Sequence, residues 1–591
     1  MPPKISKGMK IGAPEIFIEG YPWYEEKNAP CEPSCPAGHR IRRTISLIQE
    51  NRFEHALENI RARNPFPGIC GRSCAYPCQM KCNRNDYDEG IAISTLERAV
   101  FDHADMKKVR RPVKREKTGR KVAIIGSGPA GLTGAYFLGL LGHGVTVFEA
   151  LPVLGGIPRV WIPGYRLPKD VVDREVSQII ELGIDVRTNT AVGVDIFLED
   201  IMNKYDACLI ATGMHKSMAL DIRGEDSEHV ISGLDFLKRV TLGEKIDLGE
   251  KVVVIGGGNT AIDAARSAKR LGVREVSVIY RRTLQEMPAH REDVEEAEAE
   301  GIKILYLTLP IKIERNKKGA SQLECLKTML GEKDMDGRRQ PQKIEGSNFI
   351  LEVNTIIAAV GETLDHSFLS ATDIKGTQDQ TIEVDPSTLM TGKKGVFAAG
   401  DVAWGPSSIA EAIGGGRQAA ISIDCYLSGR SREQIRSIFI DSGGNLIMES
   451  STYKDRETLP QGIVNYDQIV NFDEPGPSSY YEHKPRIRMK YSLSPEVKGF
   501  EEVKKGYTRG EAIDEASRCF HCGQCFKCAI CIDVCPEDVF AMTEDGPKVS
   551  YPEECFCCGA CALDCPCKAI SIRVPLPAKV SVLQGGKPLI Y

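Results

Sequence analysis

The chain has 591 residues, 42% hydrophobic and 27% charged, with a formal net charge of -5. That is an ordinary globular composition, long enough for about four domains of roughly 150 residues. It excludes a disordered or collagen-like chain and shows no basic excess for nucleic acid, and the most apolar stretch, Leu132 to Gly156, is too interrupted by His143, Glu149 and glycines to be a membrane span.

Of the 21 cysteines, six lie between Cys31 and Cys82 and twelve between Cys519 and Cys567. The first residues, MPPKISKGMKIGAPEIF, contain no uninterrupted apolar core and no small-residue cleavage site, so a cytoplasmic protein is expected. In a reducing compartment, cysteines three or four residues apart are read as metal ligands before disulfides.

Residues 1–115 are expected to form a helical, cysteine-rich, metal-binding domain. Cys31-x3-Cys35-Pro is followed by NPFPGI-Cys70-x3-Cys74-x3-Cys78-x3-Cys82 and then ISTLERA. All six cysteines are candidate ligands, with zinc as the alternative metal.

At Lys121 a strand-like KVAII runs into Gly126-Ser-Gly128-Pro129-Ala130-Gly131, a helix, and the strand VTVFE ending at Glu149. This is a full dinucleotide fingerprint: the glycines permit the turn, the approach of a pyrophosphate and close helix packing, and Glu149 is placed to accept from ribose hydroxyls. Gly156, Thr212 and Gly213 are further cofactor-binding candidates, the last two following the strand CLI. A second unit starts at KVVVI and gives Gly256-Gly-Gly258-Asn259-Thr260-Ala261, a helix, and VSVIY followed by Arg281 and Arg282. Two arginines in place of an acid favour a 2'-phosphate, hence NADP(H) over NAD(H). The acidic run DVEEAEAE from Asp293 to Glu300 reads as a solvated face, and His290 as a surface residue.

Two dinucleotide units in one chain suggest FAD on the first and a nicotinamide on the second. Downstream, GVFAAG leads to Gly400-Asp401, and a helix beginning near Ser408 carries Glu411, Ala412 and three consecutive glycines at 414–416. Its positive end would face the flavin, and Asp401 could bond the ribityl chain. Glycines cost a helix roughly 1 kcal/mol each against alanine, so a close ligand is expected there. Because GVFAAGD returns to the flavin unit, residues 116–225 and 355–430 read as one FAD domain with the NAD(P)H domain, 226–354, inserted. Residues 431–510, containing EPGPSSYYEHKP, read as an extended connector.

Residues 511–591 contain Cys525-x2-Cys528-x2-Cys531-x3-Cys535-Pro and, 30 residues later, Cys555-x2-Cys558-x2-Cys561-x3-Cys565-Pro. Three thiolates of each run wrap one cubane, and the fourth ligates the other cluster. Cys525, Cys528, Cys531 and Cys565 are therefore expected on one 4Fe-4S cluster, and Cys555, Cys558, Cys561 and Cys535 on the second. Zinc knuckles would leave the third cysteine and the prolines unexplained. Cys519, Cys522, Cys557 and Cys567 have no assigned role.

The order NPFPGICGRSC, GSGPAG, GGGNTA, YRRT and AAGD resembles the small subunit of glutamate synthase and its relatives, over residues from about 25 to 430. The tail introduced by SRCFHCGQC is similar to that of a stand-alone branch of the same family. The resemblance implies a multidomain α/β flavin reductase with an N-terminal iron-sulfur module, and a cluster held by Cys35, Cys74, Cys78 and Glu97, with Cys70 or Cys82 as competing fourth ligands. Such modules usually hold two clusters, the first beginning with a C-x2-C pair ahead of Cys31. Here PWYEEKNAP stands there without a cysteine, so one N-terminal cluster is expected, and a second around Cys31 and Cys82 would need Cys70 or a partner. The expected activity is NAD(P)H:acceptor oxidoreduction, with the hard chemistry borne by cofactors and not by a general base. Electrons would pass to ferredoxin or a catalytic partner subunit. Electron bifurcation in a larger complex and a non-catalytic wiring role are the alternatives.

Overall fold

The computed structural model describes residues 21–315, 321–334, 337–369, 372–378, 380–450, 464–472 and 480–572. The first twenty residues, residues 474–479 of EPGPSSYYEHKP and the end of the chain lie outside the described residues.

Both expected dinucleotide units are present as parallel sheets. The first has five strands in the order Val396–Ala398, Ala207–Ile210, Lys121–Ile125, Gly144–Phe148, Asp185–Arg187, with Ile125 opposite both Phe148 and Ile210. The second runs Lys303–Leu305, Glu275–Ile279, Lys251–Ile255, Thr355–Ala358, Val230–Ser232. In both, the central strand begins with an exposed lysine and continues as four buried apolar residues, as a strand covered on both faces requires. Strand Val396–Ala398 pairs beside Ala207–Ile210, so the chain returns to the first sheet after completing the second. Along the chain between Lys303–Leu305 and Thr355–Ala358 lies a four-stranded antiparallel sheet spanning Thr308–Arg315 to Phe349–Val353.

The N-terminal region is helical: Ile41–Gln49, Phe53–Arg61, Pro67–Ser73 and Ile93–His103. Its apolar faces share one core with the first dinucleotide unit and with helix Arg509–Ala516 of the tail. Two short pairings add to that junction: Pro22–Tyr24 is antiparallel to Ile570–Ile572, and Glu26–Asn28 is parallel to Val464–Ile469.

The connector is more structured than its composition suggests. Residues Ile435–Ile440 and Leu446–Ser450 form a hairpin whose Ile438 and Leu446 join the core beneath helix Ile409–Ser428. The turn is closed by Asp441, which accepts from the amides of Gly443 and Asn445, a local bond that periodicity does not register. Among the described residues, no helix is long and apolar enough to cross a membrane.

Candidate functional site

The first fingerprint adopts the geometry its residues require. Gly126 has φ +100°, and a Cβ there would lie 2.4 Å from the Ala211 carbonyl oxygen; one on Gly131 would lie 2.1 Å from the Gly126 oxygen. Gly128 faces open space, leaving the start of helix Pro129–Leu140 clear for a ligand's phosphates. Ala130 is buried, and Gly156 sits against the Gly128 Cα. The Glu149 carboxylate accepts from the Ser127 amide (3.0 Å) and hydroxyl (2.6 Å) and from the Leu151 amide (2.9 Å), which fixes it at the strand end. Thr212, followed by Gly213 in the left-handed region, carries a buried hydroxyl with no partner among the described residues. An orphaned donor beside an open glycine turn fits a bound dinucleotide.

Asp401 accepts from the Ser407 hydroxyl (2.6 Å) and amide (3.2 Å), and burial raises its carboxyl. It follows Gly400, at φ +79°, and begins the short helix Asp401–Trp404. Glu411 forms a reciprocal cap with Ser408 at the start of helix Ile409–Ser428, so its carboxylate serves the helix end, and Ala412 is buried one residue on. The three glycines of that helix are explained by protein neighbours, not by a ligand. A Cβ would lie 2.4 Å from the Pro36 oxygen at Gly414, 2.4 Å from the Trp404 ring at Gly415 and 2.2 Å from the Ala130 oxygen at Gly416.

A cavity of about 690 Å³ lies between the two dinucleotide units, its wall formed by Gly256, Gly258, Asn259 and Thr260 on one side and Asp401, Ser407, Ser408 and Ile409 on the other. Ala261 packs beneath the turn, fully buried. Arg281, Arg282 and Arg338 line the far end. Arg282 is buried, donating to the Arg339 oxygen (2.7 Å) and to Asp334 (2.8 Å), so it holds the antiparallel sheet in place. Arg281 stays exposed, and Arg338 was missed because it lies 57 residues further along, on the antiparallel sheet's turn. Thr260 donates to Glu362 (3.1 Å), another wall residue that no motif marked.

His290 is not a simple surface residue. It lines the same cavity, stacks on Tyr76 with centroids 5.9 Å apart, and burial lowers its pKa. The expectation for the acidic run is also overturned. Asp293, Glu296 and Glu300 are buried: Arg166 pairs with Asp293 (2.9 Å), Lys504 with Glu296 (3.0 Å), and Arg266 and Arg270 with Glu300 (2.7 and 2.6 Å). The partners come from three distant stretches of chain, so no local pattern could reveal them.

The cysteines sort into groups. Cys35, Cys70, Cys74, Cys78 and Glu97 line one small cavity with Ala410, at the start of helix Ile409–Ser428. Glu97 accepts from Asn64 (2.9 Å), and burial with the nearby Glu175 charge pushes its carboxyl up to about 8. Arg417, from the same helix as Ala410, donates to the Ala37 oxygen (2.8 Å) and places its charge near Cys35. In the tail, Cys525, Cys528, Cys531 and Cys565 are electrostatic neighbours, and so are Cys535, Cys555, Cys558 and Cys561. Tyr24 stands 3.1 Å from the Cys531 sulfur, and Cys567 lies 3.6 Å from Cys565. Cys70 lines the Cys35 cavity, and Cys31 and Cys82 do not. No cysteine is in a disulfide. Among the described residues, no three of His, Cys, Asp and Glu are placed to hold a single metal ion. Tetrahedral zinc, at about 2.3 Å to each sulfur, needs tighter convergence than a cubane whose thiolates bind different irons.

Comparison with known proteins agrees with this geometry. Residues 120–417 match the pyridine nucleotide-disulphide oxidoreductase model, and residues 24–109 match the model of dihydropyrimidine dehydrogenase domain II, 4Fe-4S cluster. The chain is 38% identical to the NADP(+)-dependent formate dehydrogenase subunit beta of Moorella thermoacetica, over 87% of this chain and 73% of that one. It is 34% identical to the NADPH-Fe(3+) oxidoreductase subunit beta of Geobacter sulfurreducens, over 87% and 77%. With the glutamate synthase [NADPH] small chain of Escherichia coli it shares 33% identity, over 72% of this chain and 96% of that one. The chain therefore belongs to the pyridine nucleotide-disulphide oxidoreductases, in the group of NAD(P)H-dependent oxidoreductase subunits that includes the glutamate synthase small chain.

Proposed function

We propose that this chain takes electrons from NADPH at the cavity between its two dinucleotide units and passes them, through FAD and iron-sulfur clusters, to a partner subunit or ferredoxin. One observation carries the reading. The first turn of helix Ile409–Ser428 separates the two sites: Ile409 lines the large cavity, and Ala410 lines the cavity of Cys35, Cys74 and Cys78.

FAD, when bound, accepts a hydride and releases its electrons one at a time to the clusters. The chain's own residues bind and orient. Gly128 and the helix behind it leave amides for the flavin dinucleotide's pyrophosphate, Thr212 offers its unpaired hydroxyl, and Glu149 holds the ribose side of the turn. Gly258 and the start of helix Asn259–Arg270 do the same for the nicotinamide dinucleotide. Arg281 and Arg338 are placed for its 2'-phosphate, while Arg282 keeps their platform rigid. Cys35, Cys74 and Cys78, with Glu97 or Cys70, would ligate the cluster nearest the flavin, and the two tail groups would ligate two more. A partner subunit is proposed because the relatives named above are themselves subunits or chains of larger enzymes.

The test is to purify the chain anaerobically and compare NADPH with NADH as reductants of a viologen dye. Faster reduction by NADPH, with FAD released on denaturation, is expected. Absence of FAD, or no reduction by either nucleotide, overturns the reading.

A further inference from the structure

Of the cysteines that neither the ferredoxin-like runs nor the Cys35 cavity uses, four form a group: Cys31, Cys82, Cys519 and Cys522. The fold brings them together from opposite ends of the chain. Helix Arg509–Ala516 docks on helices Ile41–Gln49 and Ile93–His103, where Gln49 donates to the Ala516 oxygen (2.8 Å) and Ala92 to Glu515 (3.0 Å). The turn that follows delivers Cys519 and Cys522 against Cys82. Asn83, the residue after Cys82, donates its side-chain amide to the Cys522 sulfur at 3.3 Å.

Arg42 closes the other side. It donates to the carbonyls of Cys522 (2.7 Å) and Lys27 (2.6 Å) and pairs with Glu32 (2.7 Å), the neighbour of Cys31. All four thiols are packed against the same core. Cys31 has Cys82, Cys519 and Cys522 as its electrostatic neighbours. Sulfurs that accept N–H bonds, from Asn83 and from the His521 amide to Cys519 (3.4 Å), beside a buried guanidinium, form a surrounding that stabilises thiolates.

We propose that Cys31, Cys82, Cys519 and Cys522 together hold a further 4Fe-4S cluster that straddles the N-terminal helical domain and the tail. Such a cluster links the flavin-side cysteines to the ferredoxin-like groups within one chain and makes the docking of the tail depend on iron. The inference stands on these thiols alone and not on the flavin reading.

The experiment measures iron, acid-labile sulfide and FAD in the anaerobically purified full chain, with EPR spectra after reduction. About sixteen irons per chain are expected, against about twelve if the site is empty. Cys519→Ser/Cys522→Ser should lose about four irons and one EPR component while FAD stays bound. Cys31→Ser/Cys82→Ser should lose the same four, and the quadruple variant no more than these. Full iron in either pair variant, a loss of eight in the quadruple variant, or zinc in place of the four irons overturns the proposal. If the pair variants do not fold, Cys522→Asp is measured instead. Loss of about one iron, with a three-iron EPR signal in the oxidised protein, supports the site, and unchanged iron and spectra refute it.

Discussion

The two glycines at the first nucleotide turn differ in what they protect. Gly131 packs against backbone 2.1 Å from where a Cβ would stand, whereas Gly128 meets nothing of the protein within 4 Å. Gly128→Ala is therefore expected to fold with an unchanged circular-dichroism spectrum and to lose FAD on gel filtration. Gly131→Ala should lower soluble yield as well. The arginine pair separates in the same way. A charge-assisted hydrogen bond is worth about 1.5–3 kcal/mol, so Arg281→Gln should raise KM for NADPH roughly 10- to 100-fold and leave that for NADH nearly unchanged. Arg282→Gln instead leaves Asp334 unpaired and should lower thermal stability, with both nucleotides affected alike.

At the scale of elements, charge decides stability where composition suggested only solvent. Glu300 is fully buried with Arg266 and Arg270 upon it. Glu300→Ala strands the Arg270 guanidinium in the interior, while Arg266 keeps Glu296 (2.7 Å), and is expected to cost about 3–5 kcal/mol in denaturant titrations. Glu175, on helix Lys169–Ile180, caps helix Pro67–Ser73 of the iron-sulfur domain by accepting from Gly68 (2.6 Å) and Ile69 (3.0 Å). Burial pushes its carboxyl up to about 7, above the ordinary value of 4.5. The folded state thus binds its proton more tightly than the unfolded chain. Its contribution to stability is fully present below pH 4.5 and is lost as pH rises through about 7. Thermal melts of Glu175→Gln should therefore compare more favourably with the parent at pH 8 than at pH 5. An unchanged difference between the two pH values would exclude Glu175 as the titrating group.

For the whole molecule, the tail completes the N-terminal helical domain. Buried Arg84 donates to the Arg518 carbonyl, Arg518 pairs with Asp88 (3.2 Å), and Glu515 receives the Ala92 and Ile487 amides (3.0 Å each). Deleting residues 509–591 removes these partners and bares the faces of Ile41–Gln49 and Ile93–His103. The shortened chain is expected to melt at lower temperature and to bind a hydrophobic dye that the full chain excludes. A truncation with the parent's melting temperature would show instead that the tail is an independent appendage.

The sequence by itself determined what short spacing encodes. The strand-glycine-helix turns at Gly126 and Gly256 and the three-residue steps of the tail cysteines are legible because the chemistry and the local backbone share one stretch of chain. Only the tertiary structure decided which arginines face the cavity, why helix Ile409–Ser428 has three glycines, and that Asp293, Glu296 and Glu300 are buried. It also brought Cys519 and Cys522 beside Cys82. Each of these depends on a partner tens to hundreds of residues away, brought near by the burial of apolar helix faces. That burial is non-directional and leaves no mark on the spacing of the residues it brings together.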